Sequence, residues 1–171
     1  MTVTSKEVYR ILRAELQPQM KAAGFRRLKT GELAWTRPLR QEHLTLWFQC
    51  HPRGSDNEMG SNFVLEFQLD PRLVAGAPRL STRRRFGPLL TEEERETVWR
   101  MNDRILGALP DPGPNRPVRT QYLHTLRQPY LPNTDIWLHY TAKEHVSDWA
   151  AFFRPRMLDL VSRFERQVCE A

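Results

Sequence analysis

From residue 5 to residue 23 the apolar positions Val8, Ile11, Leu12, Leu16, Met20 and Ala23 recur every three or four residues, the spacing of one buried helical face. The pattern predicts a first helix ended by Gly24, with a kink or restart at Pro18, whose ring crowds the preceding turn and which has no amide to donate. The period then changes to two. Residues 32–37 (ELAWTR), 43–51 (HLTLWFQCH) and 62–70 (NFVLEFQLD) are rich in aromatic and branched side chains and read as successive antiparallel strands. In the third, Phe63, Leu65, Phe67 and Leu69 share one face and Asn62, Val64, Glu66 and Gln68 the other. In the second, Leu44, Leu46 and Phe48 oppose Thr45, Trp47 and Gln49, so the sheet has an oily face and a mixed aromatic-polar face.

Residues 80–86 read as another short strand, stopped by Gly87-Pro88. Thr91-Glu92-Glu93-Glu94 is a capping-box sequence that opens a helix with Val98, Met101, Ile105 and Leu109 as its inner stripe. Residues 110–117 (PDPGPNRP) are an exposed connection, and residues 135–141 (DIWLHYT) a further strand. The last helical region starts near Ser147 and is split by Pro155, with Trp149, Phe152 and Phe153 anchoring one piece and Met157, Leu160, Val161, Phe164 and Val168 the other. The expected fold is therefore α+β: one domain over residues 1–171, a mainly antiparallel sheet of four to five strands, and helices packed on one face.

Composition narrows the class. The 171 residues are 40% hydrophobic and 27% charged, and no apolar run approaches the roughly 20 residues of a membrane helix. The N-terminus turns amphipathic at once, unlike a secretory leader. Two cysteines, Cys50 and Cys169, form neither a CxxC pair nor a disulfide framework, so the expected compartment is a reducing cytoplasm. The formal net charge is +6, and of the 26 basic residues all but Lys6, Lys21, Lys29 and Lys143 are arginine. Arginine's planar fork suits phosphates and carboxylates, but GC-rich coding also enriches it, so the surplus permits an anionic partner without requiring one.

Three pieces then stand in order: LQPQMKAAGFRR, the pair HLTLWFQCH and NFVLEFQLD, and RRRFGPLL followed by Trp99. Over about the first two-thirds of the chain they resemble the bacterial domain-of-unknown-function family four-three-zero-four. The chain departs from that pattern at Cys50-His51, at Glu66, where the family carries an asparagine, and at Trp99-Arg100, where it carries two tryptophans. The resemblance implies a small cytosolic α+β protein of a family without an established reaction, with an immunity-like role beside toxins by association. A basic net charge argues against immunity to a nuclease, whose toxin is usually basic itself.

The candidate chemistry centres on the triple arginine of STRRRFGPLL. In an extended strand Arg83 and Arg85 project to one face and Arg84 joins Phe86 on the other, so the triplet is not a single patch. Placed beside the third strand, Arg83 and Arg85 would face Glu66 and Gln68, with Trp47 and Gln49 next along. Such a group is either a structural ion-pair network or a site where arginines hold an anion between tryptophan walls. These six residues are the candidate ligand-binding surface, and the leading function is a non-catalytic binding protein for a protein or small anionic partner.

The alternative is a nucleic-acid-binding module, with Arg26, Arg27, Arg37, Arg40, Arg53, Arg83 and Arg84 on phosphates and Trp35 or Trp47 stacking on bases. No helix-turn-helix, zinc-finger or RNA-recognition signature accompanies it, and 20 acidic residues are interspersed. A third reading is a hydrolase using histidine and aspartate. His43, His51, His124, His139 and His145 form no recognisable metal or catalytic motif, and there is no GxSxG elbow or glycine-rich phosphate loop. The sequence thus assigns no catalytic residue, no metal and no cofactor.

Overall fold

The computed structural model describes residues 3–52, 60–73, 82–109 and 136–169. Helix α1 (Ser5–Ala22) starts at a capping box in which Thr4 and Glu7 satisfy each other's backbone amides, and it buries Val8, Leu12, Leu16 and Met20. It runs through Pro18 without a restart. The lost hydrogen bond falls near the last turn, where Leu16 and Met20 on either side are fully buried. Gly24, at φ +82°, turns the chain out of the helix.

Five strands follow: β1 (Arg26–Lys29), β2 (Leu33–Leu39), β3 (Glu42–Cys50), β4 (Ser61–Asp70) and β5 (Arg83–Arg85), each antiparallel to the next in spatial order β1-β2-β3-β4-β5. A sixth, β6 (Leu138–Tyr140), pairs with Ser61–Phe63 of β4, while β5 pairs with Glu66–Gln68 of the same strand. The amide of Phe86 donates to Leu65 O at 3.0 Å between them. β5 and β6 are thus two pieces laid end to end along one edge of β4. Gly60 admits the chain into β4 at φ +66°, where a Cβ would lie 2.5 Å from Tyr140 O, so a side chain there would collide with β6.

The architecture is α+β with a mainly antiparallel sheet, as the hydrophobic pattern predicts, and three features differ in detail. β1 is an additional strand, RRLK, in which no apolar alternation announces it. Of the strand expected at 80–86, Arg83–Arg85 is strand and Thr82 and Phe86 are not; residues 80 and 81 lie outside the described residues, as do Asp135 and the connection 110–117. The helix expected from Ser147 begins four residues earlier: α3 is Lys143–Phe153 and α4 is Met157–Cys169, with Pro155 in the turn between them.

The oily sheet face and helices α3 and α4 gather an aromatic core. Phe48 meets Trp35, Phe63 and Phe153 edge to face, Phe86 meets Phe153, and Phe67 stacks on Phe164 at 5.4 Å. Helix α2 (Glu92–Gly107) carries the expected Thr91–Glu94 capping box. Its buried stripe includes a residue that an apolar count passes over, Asn102, which is fully buried. The Asn102 side chain donates to Trp137 O at 2.9 Å and accepts from the His139 amide at 2.9 Å, tying α2 to β6.

Candidate functional site

Antiparallel pairing fixes which side chains share the second sheet face. Glu66 lies opposite Trp47 on β3 and Arg85 on β5, and Gln68 lies opposite Arg83. Arg83 and Arg85 therefore project to the Glu66 face, while Arg84 sits across from Phe67, on the other.

Glu66 is fully buried, and its carboxylate takes a hydrogen-bonded ion pair from Arg83 Nε on one oxygen and a 3.5 Å ion pair from Arg85 Nε on the other. Each guanidinium also lies over a tryptophan: Arg83 is 5.2 Å from the Trp47 ring centre, and Arg85 5.1 Å from that of Trp137. Trp137 also meets His51 edge to face at 5.6 Å. The result is a continuous line, Trp47–Arg83–Glu66–Arg85–Trp137–His51, across the strand edge. Arg83 and Arg85 keep 26% and 34% of their side-chain surface open to solvent, whereas Trp47 is 1% exposed.

Of the other expected site residues, Gln68 is fully buried, and its amide donates to Asp70 Oδ2 at 3.5 Å; Asp70 is in turn held by Arg72. Gln49 is half-buried and lies opposite Val64 on the same face. All six residues thus share the face, but four of them, Trp47, Glu66, Gln68 and the Arg83 guanidinium that covers Trp47, form a packed layer more than an open surface.

Sequence reasoning passes over Trp137, which reaches Arg85 because β6 follows β5 end to end, and Glu32, which precedes β2. Burial, and then the Glu66 charge, hold the Glu32 carboxyl above its ordinary value, with Arg83 pulling it back. His139, two residues on from Trp137, is pushed down to about 3 by burial and by the neighbouring His51. It is therefore neutral at pH 7 and a weak base. Burial pushes the Cys50 thiol up to about 11, against hydrogen bonds from Tyr9 and Tyr140 that lower it.

Among the described residues no three His, Cys, Asp or Glu side chains are placed to hold a metal ion. No described helix is long and apolar enough to cross a membrane. The chain matches no family model, no curated protein and no solved structure.

Proposed function

We propose that the chain is a non-catalytic binding protein whose partner, a protein or a small molecule, presents an anionic group to the Arg83–Arg85 edge. The supporting observation is preorganisation. Both guanidiniums are fixed in direction by one buried carboxylate and by a tryptophan face each, yet a quarter to a third of each side chain meets solvent. A fork already held in place loses little entropy when an anion docks on it.

The neighbouring chemistry supports binding over turnover. Cys50, raised to about 11, is a protonated thiol at neutral pH, and His139, lowered to about 3, is far from the pKa of a base poised for proton transfer. The reading keeps the chain beside the bacterial domain-of-unknown-function family four-three-zero-four, on the sequence motifs alone. It also keeps it in a reducing cytoplasm, on the strength of two unbridged thiols, Cys50 and Cys169.

The test is capture from a native lysate on immobilised wild-type chain and on an Arg83→Lys, Arg85→Lys variant, which keeps both charges and loses both forks. A partner held by the wild type and lost by the variant supports the reading. Equal recovery on both removes the Arg83–Arg85 edge as the binding surface.

A further inference from the structure

Beside α1, a groove made of two pockets that share Tyr9 and Gly31 lies against the β1–β2 turn, with Glu32 in one and His51 in the other bordering the Arg83–Arg85 line. Its narrower arm, about 210 Å³, is lined by Lys6, Arg10 and Arg13 of α1 and by Arg27 of β1. The three helical residues stand at i, i+4 and i+7, so they share one face over about 10 Å of helix axis. All four cations are exposed, and none pairs with a carboxylate among the described residues. Among the described residues lining the arm, the one acidic group is Glu32.

This arrangement works against the helix that carries it. Lys6 lies in the first turn of α1, at the positive end of the dipole, and Lys6–Arg10 is a like-charge i,i+4 pair. An anion in the arm would remove both penalties together.

Tyr9 and Gly31 belong equally to the wider part, about 390 Å³, which runs to the start of α1 at Thr4 and Ser5. Tyr9, Cys50 and the buried Ser61 and Tyr140 give it a hydrogen-bonding floor, and His51 shares the lining. Tyr9 Oη accepts the Cys50 amide at 3.2 Å, Tyr140 hydrogen-bonds Ser61, and burial keeps the Cys50 thiol near 11 and the Tyr140 hydroxyl near 12. The wider part alone falls within the roughly 300–1,000 Å³ of small-molecule sites.

We propose that this groove binds a phosphate monoester of a small hydroxylated molecule, its phosphate among Arg10, Arg13 and Arg27 and its body over Tyr9, Cys50, Ser61 and Tyr140. A phosphate monoester brings about −1.5 to −2 of charge and three strong acceptor oxygens, which suits several cations lining one cleft better than a single carboxylate does. A polyol body presents hydroxyls and C–H faces together, matching the hydroxyl and ring of the half-buried Tyr9 over the buried Ser61 and Tyr140. The inference goes beyond the binding reading above and uses none of its six residues.

Isothermal titration of the full chain at low ionic strength with ribose 5-phosphate, ribose and inorganic phosphate tests it. Ribose 5-phosphate is expected to saturate one site at least tenfold more tightly than inorganic phosphate, with no uptake of ribose, and to weaken as salt is added. An Arg10→Gln, Arg27→Gln variant, checked for fold by circular dichroism, should lose at least tenfold, while Arg83→Lys, Arg85→Lys keeps full affinity. Three results would overturn the proposal: no uptake of ribose 5-phosphate by the wild type, equal affinity for ester and inorganic phosphate, or an unchanged titration in the cleft variant. Loss of binding only in the Arg83→Lys, Arg85→Lys variant would move the ligand to the other face and overturn it as well.

Discussion

Arg83 and Arg85 reach a fully buried carboxylate and lie over tryptophan rings, whereas Arg10, Arg13 and Arg27 stand in solvent around a cleft whose single described carboxylate is Glu32. The same residue type therefore does two kinds of work. In the first group the cations hold the frame and offer only their outer edges. In the second they are exposed and make no ion pair among the described residues, and Arg10 stands one turn from the like charge of Lys6. A net charge of +6 cannot separate these roles. What separates them is strand parity at one site and helical periodicity at the other.

The sharpest way to break the contrast is Glu66→Gln. Removing a fully buried charge that two arginines share should cost about 3 kcal/mol in urea unfolding followed by tryptophan fluorescence. A loss near zero would mean that the cluster is not part of the frame.

Next comes acid. His139 lies on the same sheet face, with its pKa in the folded chain lowered from 6.5 to about 3. Between these values the unfolded chain carries the proton and the folded chain does not, so stability is full above pH 6.5 and falls as pH drops towards 3. From pH 6.5 to pH 5 the loss should reach about 1.5 kcal/mol, and His139→Gln should flatten that slope. An unchanged slope would show that His139 is open to solvent.

Arg83→Ala removes one ion pair and one cation–π contact from a side chain that is 26% exposed, and about 1 kcal/mol is expected. The smallest effect belongs to the other group. Arg10→Gln with Arg27→Gln should change stability by no more than about 0.5 kcal/mol, on the stabilising side if at all. A loss above 1 kcal/mol in that variant would place those arginines in the frame and erase the distinction.

Much of this was legible in the sequence. Alternation in NFVLEFQLD and HLTLWFQCH fixed two central strands and their oily face, and the Thr91–Glu94 box marked α2 at its first residue. Parity alone separated Arg84 from its neighbours and brought Arg83 and Arg85 to Glu66. The burial of the second face was not legible. Thr36, Thr45 and Gln68 are fully or almost fully buried, because alternation says which side chains share a face but not what covers it. Trp137 was out of reach for a different reason: its contact with Arg85 depends on β6 continuing the line of β5 across more than fifty residues of chain. The early start of α3 was hidden by its polar first turn, Lys143-Glu144-His145, which carries no apolar mark. The α1 cations escaped notice because a periodic search looks for the buried face of a helix, not for what its other face meets.

The shortness of the outer strands has a consequence for the chain's behaviour among its own copies. β1 is four residues, RRLK, and β5 is three, RRR. Among the described strands, a second molecule adding itself to β1 or to β5 would gain only a few backbone hydrogen bonds and would bring guanidinium against guanidinium at close range. These short, arginine-rich strands thus carry a built-in resistance to growing by strand addition, and the charges that crowd them also keep neighbouring molecules from fusing into a common sheet.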